Sequence, residues 1–180
     1  MTIEEFTRQP KGPYLFYIWL WNKRVTTSLG EFEVKFHMTG DRDKNPPDEE
    51  MLRRAAELVH YAETCGDYLL DIVYGAYLLA GEDDWLEYSG VPEGLSKEEM
   101  PLHLREDRAI VVSRDTDWKE GQIWDSRDGP YESRIHVVPH WDEEHALSLD
   151  FRDGQIVSAN GEAFLLEDGV LRPQYPEEED

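Results

Sequence analysis

The sequence predicts an α+β protein: a mostly antiparallel sheet, built from an N-terminal hairpin and a C-terminal meander, packed against a helical pair. Three patterns predict it. Residues 31–38 alternate apolar and polar with period two. Residues 48–80 carry helical periodicity set between capping and breaking residues. Three Asx-Gly pairs, Asp153-Gly154, Asn160-Gly161 and Asp168-Gly169, punctuate short strand-like segments near the C-terminus, which is the spacing of an antiparallel meander. At 180 residues the chain is long enough to bury a substantial core. It reads as a flexible arm over 1–12, a single α+β domain over 13–172 and a disordered acidic tail over 173–180.

The arm closes on Pro10-Lys11-Gly12. Residues 14–21 are apolar on both alternating faces, as a central buried strand is. Asn22-Lys23 and Ser28-Leu29-Gly30 are turn candidates, so Val25-Thr26-Thr27 either extends that strand or forms its own. In 31–38, Phe32, Val34, Phe36 and Met38 share one face and Glu31, Glu33, Lys35 and His37 the other, an amphipathic strand with one solvated side. The two strands pair as a hairpin.

Asn45-Pro46-Pro47-Asp48 reads as a helix start. Asn45 caps, Pro46 takes the first helical position, and acids follow where the helix dipole favours them. Leu52, Ala55, Ala56, Val59 and Ala62 keep one face apolar. Gly66 ends or kinks this helix. Asp67 caps a second one over 68–80, apolar nearly all round and therefore the buried central helix, with Gly81 ending it. Asp71 within it either reaches solvent or needs a cationic partner. Ser96-Lys97-Glu98-Glu99 has capping-box spacing, but Pro101 keeps any helix there short. Strands follow at 109–113, 134–138, 146–151, 155–159, 163–166 and 170–171, with 114–130 as the longest irregular stretch.

Forty acidic against 18 basic residues give a net charge of −22. A broad nucleic-acid interface is excluded, because phosphate contacts need clustered Lys and Arg. An anionic membrane surface is excluded for the same reason. The charge favours encounter with a basic protein partner; solubility or a salt-adapted proteome produces the same composition. Cys65 is the one cysteine, so no intramolecular disulfide forms, in keeping with a reducing cytoplasm. It lies in an apolar-periodic segment and reads as a buried, inert thiol. The N-terminus lacks a basic start followed by an apolar run. The most apolar stretch, 68–80, is shorter than the ~20 residues a membrane span needs.

Gly-x-Gly-x-x-Gly, P-loop, Gly-x-Ser-x-Gly and His-Glu-x-x-His patterns are absent, which takes support from the corresponding nucleotide-binding and hydrolase classes. The densest polar cluster is 136–145. If the chain is extended there, His136 and His140 point to one face, and Glu144 and His145 fold back across the next turn. Imidazoles with a carboxylate suit zinc or iron with open coordination positions, so a small metal-dependent enzyme using His136, His140, Glu144 and His145 is the alternative reading. The simpler reading is a hairpin connection, with Trp141 packed at the sheet edge and Asp142, Glu143 and Glu144 as a solvated tip. Glu144 and His145 could form an acid/base pair or fix the turn by hydrogen bonding; the structural role is favoured. Glu82-Asp83-Asp84 and Asp115-Thr116-Asp117 lack EF-hand spacing and read as loop charge. Trp19, Trp21, Tyr74 and Tyr77 read as core, or as the lining of an aromatic pocket.

Residues 141–147, Trp-Asp-Glu-Glu-His-Ala-Leu, followed by Phe151-Arg152-Asp153-Gly154-Gln155-Ile156-Val157 and Gly161, resemble a segment of uncharacterised bacterial domains of unknown function. Those carry Trp-Asp-x-Glu-His-Gly before a strand, an Asx-Gly turn and another strand. The resemblance covers 141–161, and Ala146 stands where that pattern has Gly. Some small acidic domains of this kind are similar to immunity proteins, which bind and block toxins. The resemblance thus implies a binding role for Trp141, Asp142, Glu143, Glu144 and His145. The expectation is a non-enzymatic, cytoplasmic protein-binding module without a cofactor.

Overall fold

The alternating segment forms the strand its pattern predicts, and the sheet extends to both sides of it. The computed structural model describes residues 1–9, 17–39, 46–82, 85–115, 129–142, 146–159, 164–167 and 170–173. Among the described residues, nine strands make one sheet in which spatial order follows chain order. They are β1 (Phe6–Arg8), β2 (Tyr17–Thr27), β3 (Gly30–Thr39), β4 (Ala109–Asp115), β5 (Tyr131–Val137), β6 (Leu147–Arg152), β7 (Gln155–Ala159), β8 (Phe164–Glu167) and β9 (Val170–Pro173). Neighbours are antiparallel except β3 and β4, which run parallel. A parallel pair needs a long crossover. Helices α1 (Glu49–Thr64), α2 (Gly66–Glu82) and α3 (Trp85–Ser89), then a 3-10 helix at Lys97–His103, lie within it. The protein is α+β: a mostly antiparallel sheet, N-terminal hairpin plus meander, against two main helices.

Register places the core on one sheet face. Phe32, Val34, Phe36 and Met38 of β3 are fully buried. Ile110 and Val112 pair beside Val34 and Phe36, and Ile135 and Leu149 continue the row through β5 and β6. Against this face α1 lays Met51, Ala55, Leu58, Val59 and Ala62, and α2 lays Leu69, Ile72, Val73 and Tyr77. Each large side chain buried there contributes about 1.5–3 kcal/mol.

Several local expectations need correction. Residues 3–8 are not a loose arm: Ile3–Glu5 is a 3-10 turn and β1 pairs with β2. Phe6 packs edge-on to Phe36 with centroids 4.7 Å apart. Three residues are too few to show a period. β2 is second from the sheet edge rather than central, with Trp19 and Trp21 only partly buried. Asn22-Lys23 does not turn the chain; it lies inside β2, where the register shifts between Leu20 and Arg24. Val25-Thr26-Thr27 therefore extends this strand. The outer side of β3 is not freely solvated, since only Glu31 is exposed there.

α1 is capped by Asp48, whose carboxylate accepts the Met51 N–H at 2.9 Å. Pro47 disfavours helical geometry in the residue before it, so the helix starts beyond both prolines; Asn45 lies outside the described residues. α2 begins at Gly66, which puts Asp67 in its first turn, and it runs through Gly81 to Glu82. A Cβ on Gly66 would stand 3.0 Å from the Ser28 hydroxyl, so this helix start touches the β2–β3 turn. Asp71 is exposed and paired with Lys97. Cys65 caps the end of α1 and is half-buried rather than buried. Asp153 and Gly154 have φ of 48° and 83°, the left-handed pair a two-residue hairpin turn requires. Asn160-Gly161, Asp168-Gly169 and residues 116–128 and 174–180 lie outside the described residues. No helix among those described is long and apolar enough to cross a membrane.

Candidate functional site

Pro139 decides the local course of the chain after β5. Proline has no N–H for a ladder, and β5 stops at Val137. Residues 138–140 clasp the segment that ends the 3-10 helix. The Arg105 N–H donates to the Val138 carbonyl at 2.8 Å, and the His140 N–H donates to that of His103 at 2.9 Å. Leu104 bridges Pro139. Trp141 turns inward, 6% exposed, edge-on to Tyr77 with centroids 5.5 Å apart. The Tyr77 hydroxyl donates to the Pro92 carbonyl and accepts the Leu95 N–H. Of the expected binding residues, Trp141 is thus an internal anchor and Asp142 is half-exposed beside the clasp. Glu143, Glu144 and His145 lie outside the described residues.

Two of the three histidines are among the described residues. His136 lies on β5, its Nδ1 3.4 Å from the Ser148 hydroxyl. His140 is exposed on the turn beyond the strand end. Among the described residues no group of three or more His, Cys, Asp and Glu is gathered to hold a metal ion.

Sequence reasoning missed His37, which shares its sheet face with His136 across β4. Burial holds His37 down to about 4, with His136 and Lys35 adding to it. Burial likewise holds His136 at about 4, Arg134 and Lys35 opposing its charge and Asp150 favouring it. Alongside, Arg134 donates to Asp150 at 2.6 Å and the Ser158 hydroxyl donates to it at 2.7 Å. Asp150 is only 7% exposed. The signal was faint: these residues occupy the polar phase of the strand alternation, which does not reveal that the face is covered.

The 3-10 helix forms an acidic platform. Ser96 and Glu99 close a capping box, with the Ser96 N–H donating to Glu99 at 2.8 Å. That bond and the Ser96 hydroxyl hold Glu99 below the usual carboxylate range. Met100 is fully buried beneath. The buried Arg108 guanidinium donates to the Pro101 and Leu104 carbonyls, both at 2.9 Å. It fits because residue 30 is glycine: a Cβ there would meet Arg108 Nη1 at 2.8 Å. Lys97 ties the platform to Asp71 of α2. On this braced support Leu102 is 78% exposed, with Glu98, Glu99, Glu106 and Asp107 exposed nearby in the chain. Leu78 of α2 is the other large exposed apolar side chain among the described residues.

A second feature is a cleft of about 850 Å³ between α1 and the β5–β6 end of the sheet. Arg53, Arg54, His60 and Tyr61 line it from the helix, Tyr131, Ser133 and Arg134 from β5, and Arg152 from β6. The Arg54 guanidinium sits 5.3 Å above the Tyr131 ring centroid. Arg53 and Arg54 hold Glu50 down to about 2. Burial, with Cys65 and Tyr68 nearby, pushes Tyr61 up to about 12.

The chain is an α+β protein with a mixed sheet, helices on one face and an acidic 3-10 platform. Comparison with family models, curated proteins and solved structures finds no match.

Proposed function

We propose that the protein is a non-enzymatic binding module that meets a basic protein partner through the acidic 3-10 platform and the adjoining 138–142 turn. An immunity-like inhibitor of a basic toxin is its sharpest form. The observation that carries this reading is Leu102, held 78% exposed on a support braced by Arg108, the capping box and the clasp. Protein interfaces centre on a few anchoring side chains within a polar rim. An anchor that is already rigid loses less entropy on binding. The exposed carboxylates around it supply the rim, and a chain of net charge −22 steers basic partners by long-range attraction. The resemblance of 141–161 to small acidic domains points the same way by analogy.

The test is site-specific photo-crosslinking in extract of the source cells. A crosslinker replacing Leu102 should capture a basic protein, and one replacing Glu31, exposed on β3, should not. Capture should weaken as salt is raised. A partner of acidic pI, or equal capture from both positions, refutes the reading.

A further inference from the structure

The cleft between α1 and the β5–β6 end carries an inference independent of the acidic platform. Its composition departs from that of the chain. Acidic residues outnumber basic ones 40 to 18 overall, yet on the α1 wall of the cleft Arg53 and Arg54 stand against Glu57 alone. That wall is therefore less acidic than the molecule as a whole. Both of these cations are arginine, whose planar fork suits carboxylate and phosphate and stacks on rings.

Arg54 is the more available of them. Its Nε donates to Glu50 at 2.6 Å, and its guanidinium carbon lies 5.3 Å from the Tyr131 ring centroid. With one of five donors used, its two terminal nitrogens remain for a ligand. On the floor, Ser133 is 5% exposed and its buried hydroxyl has no hydrogen-bond partner. The Tyr61–Phe151 edge contact, with centroids 5.1 Å apart, and the Tyr131 ring add flat apolar surface. The volume of about 850 Å³ falls within the range of roughly 300–1,000 Å³ typical of small-molecule sites.

The geometry points to a binding site for a small aromatic anion, a planar ring bearing a phosphate or carboxylate. The anion meets the Arg54 terminal nitrogens and the ring lies on the aromatic surface. The probe is phenyl phosphate, with phenol and inorganic phosphate as its two halves, titrated against the full chain and followed by backbone amide NMR shifts. Phenyl phosphate should shift resonances of 53–64, 131–134 and 150–154 and bind more tightly than either half. Arg54→Gln should weaken it about tenfold, a loss of roughly 1.4 kcal/mol, while Lys23→Gln at the far edge should leave it unchanged. No shift in those segments, or equal binding by Arg54→Gln and the parent, overturns the site. Binding of inorganic phosphate as tightly as phenyl phosphate overturns the aromatic requirement.

Discussion

At the scale of single residues, Arg108 and Gly30 act together. The guanidinium can reach the Pro101 and Leu104 carbonyls only because residue 30 has no side chain in its way. Gly30 also has φ of +104°, a conformation L side chains resist. Gly30→Ala should therefore cost roughly 1–3 kcal/mol, read as a lower urea midpoint. It should also speed amide exchange at residues 97–104. Unchanged exchange would show that the platform does not depend on Arg108. The two partly buried histidines set a second prediction. Their values near 4 in the fold lie below the 6.5 of an unfolded histidine, so between these limits the unfolded chain binds more protons. Their contribution is full above pH 6.5 and is lost as pH falls towards 4, by about 3 kcal/mol each. His136→Gln should flatten the fall of stability across that window; an unaltered slope in urea titrations would refute the assignment.

At the scale of elements, α1 depends on its cap. Burial alone would raise the Asp48 pKa, but the Met51 N–H, Arg114 and the Tyr131 hydroxyl together hold it below the ordinary carboxylate value. One carboxylate thus joins the helix start to β4 and β5. Asp48→Ala should cost about 2 kcal/mol, more than the ~1 kcal/mol of an isolated cap, because cross-element bonds go with it. A loss confined to the smaller figure would mean that Arg114 and Tyr131 add nothing. Elements with short-range signals were legible: the alternation of β3, the Ser96 capping box and the Asp153-Gly154 turn each act within a few residues. The start of α1 was misread because two prolines in succession offer two plausible boundaries, and side-chain hydrogen bonding selects between them. Strand pairing is not local, so the parallel β3–β4 junction left no mark in the pattern. The cleft was invisible for the same reason, since its walls come from residues 53–65 and 129–154. Leu102 reads like any core leucine until Met100 is seen to take the inward position.

At the scale of the whole molecule, the charge surrounds an ordinary apolar core. At low ionic strength carboxylate repulsion is felt over about 30 Å at 0.01 M salt, against about 10 Å at 0.1 M. The protein should therefore stay folded in dilute buffer but melt at a temperature that rises with added salt. Unfolding outright in salt-free buffer would instead assign the acidity to salt adaptation and remove a support from the partner reading. The sheet has its own consequence at this scale. Spatial order follows chain order from β1 to β9, so nearly every strand finds its neighbour next in sequence. The exception is β4, which must wait for residues 40–108 to be made before it can join β3. On the ribosome, the β2–β3 hairpin emerges with Phe32, Val34, Phe36 and Met38 uncovered and one long edge unpaired. Such a surface is an aggregation hazard until it is closed. The nascent chain is thus exposed to chaperone capture or misassembly until β4 arrives, because this one pairing must first close a long loop.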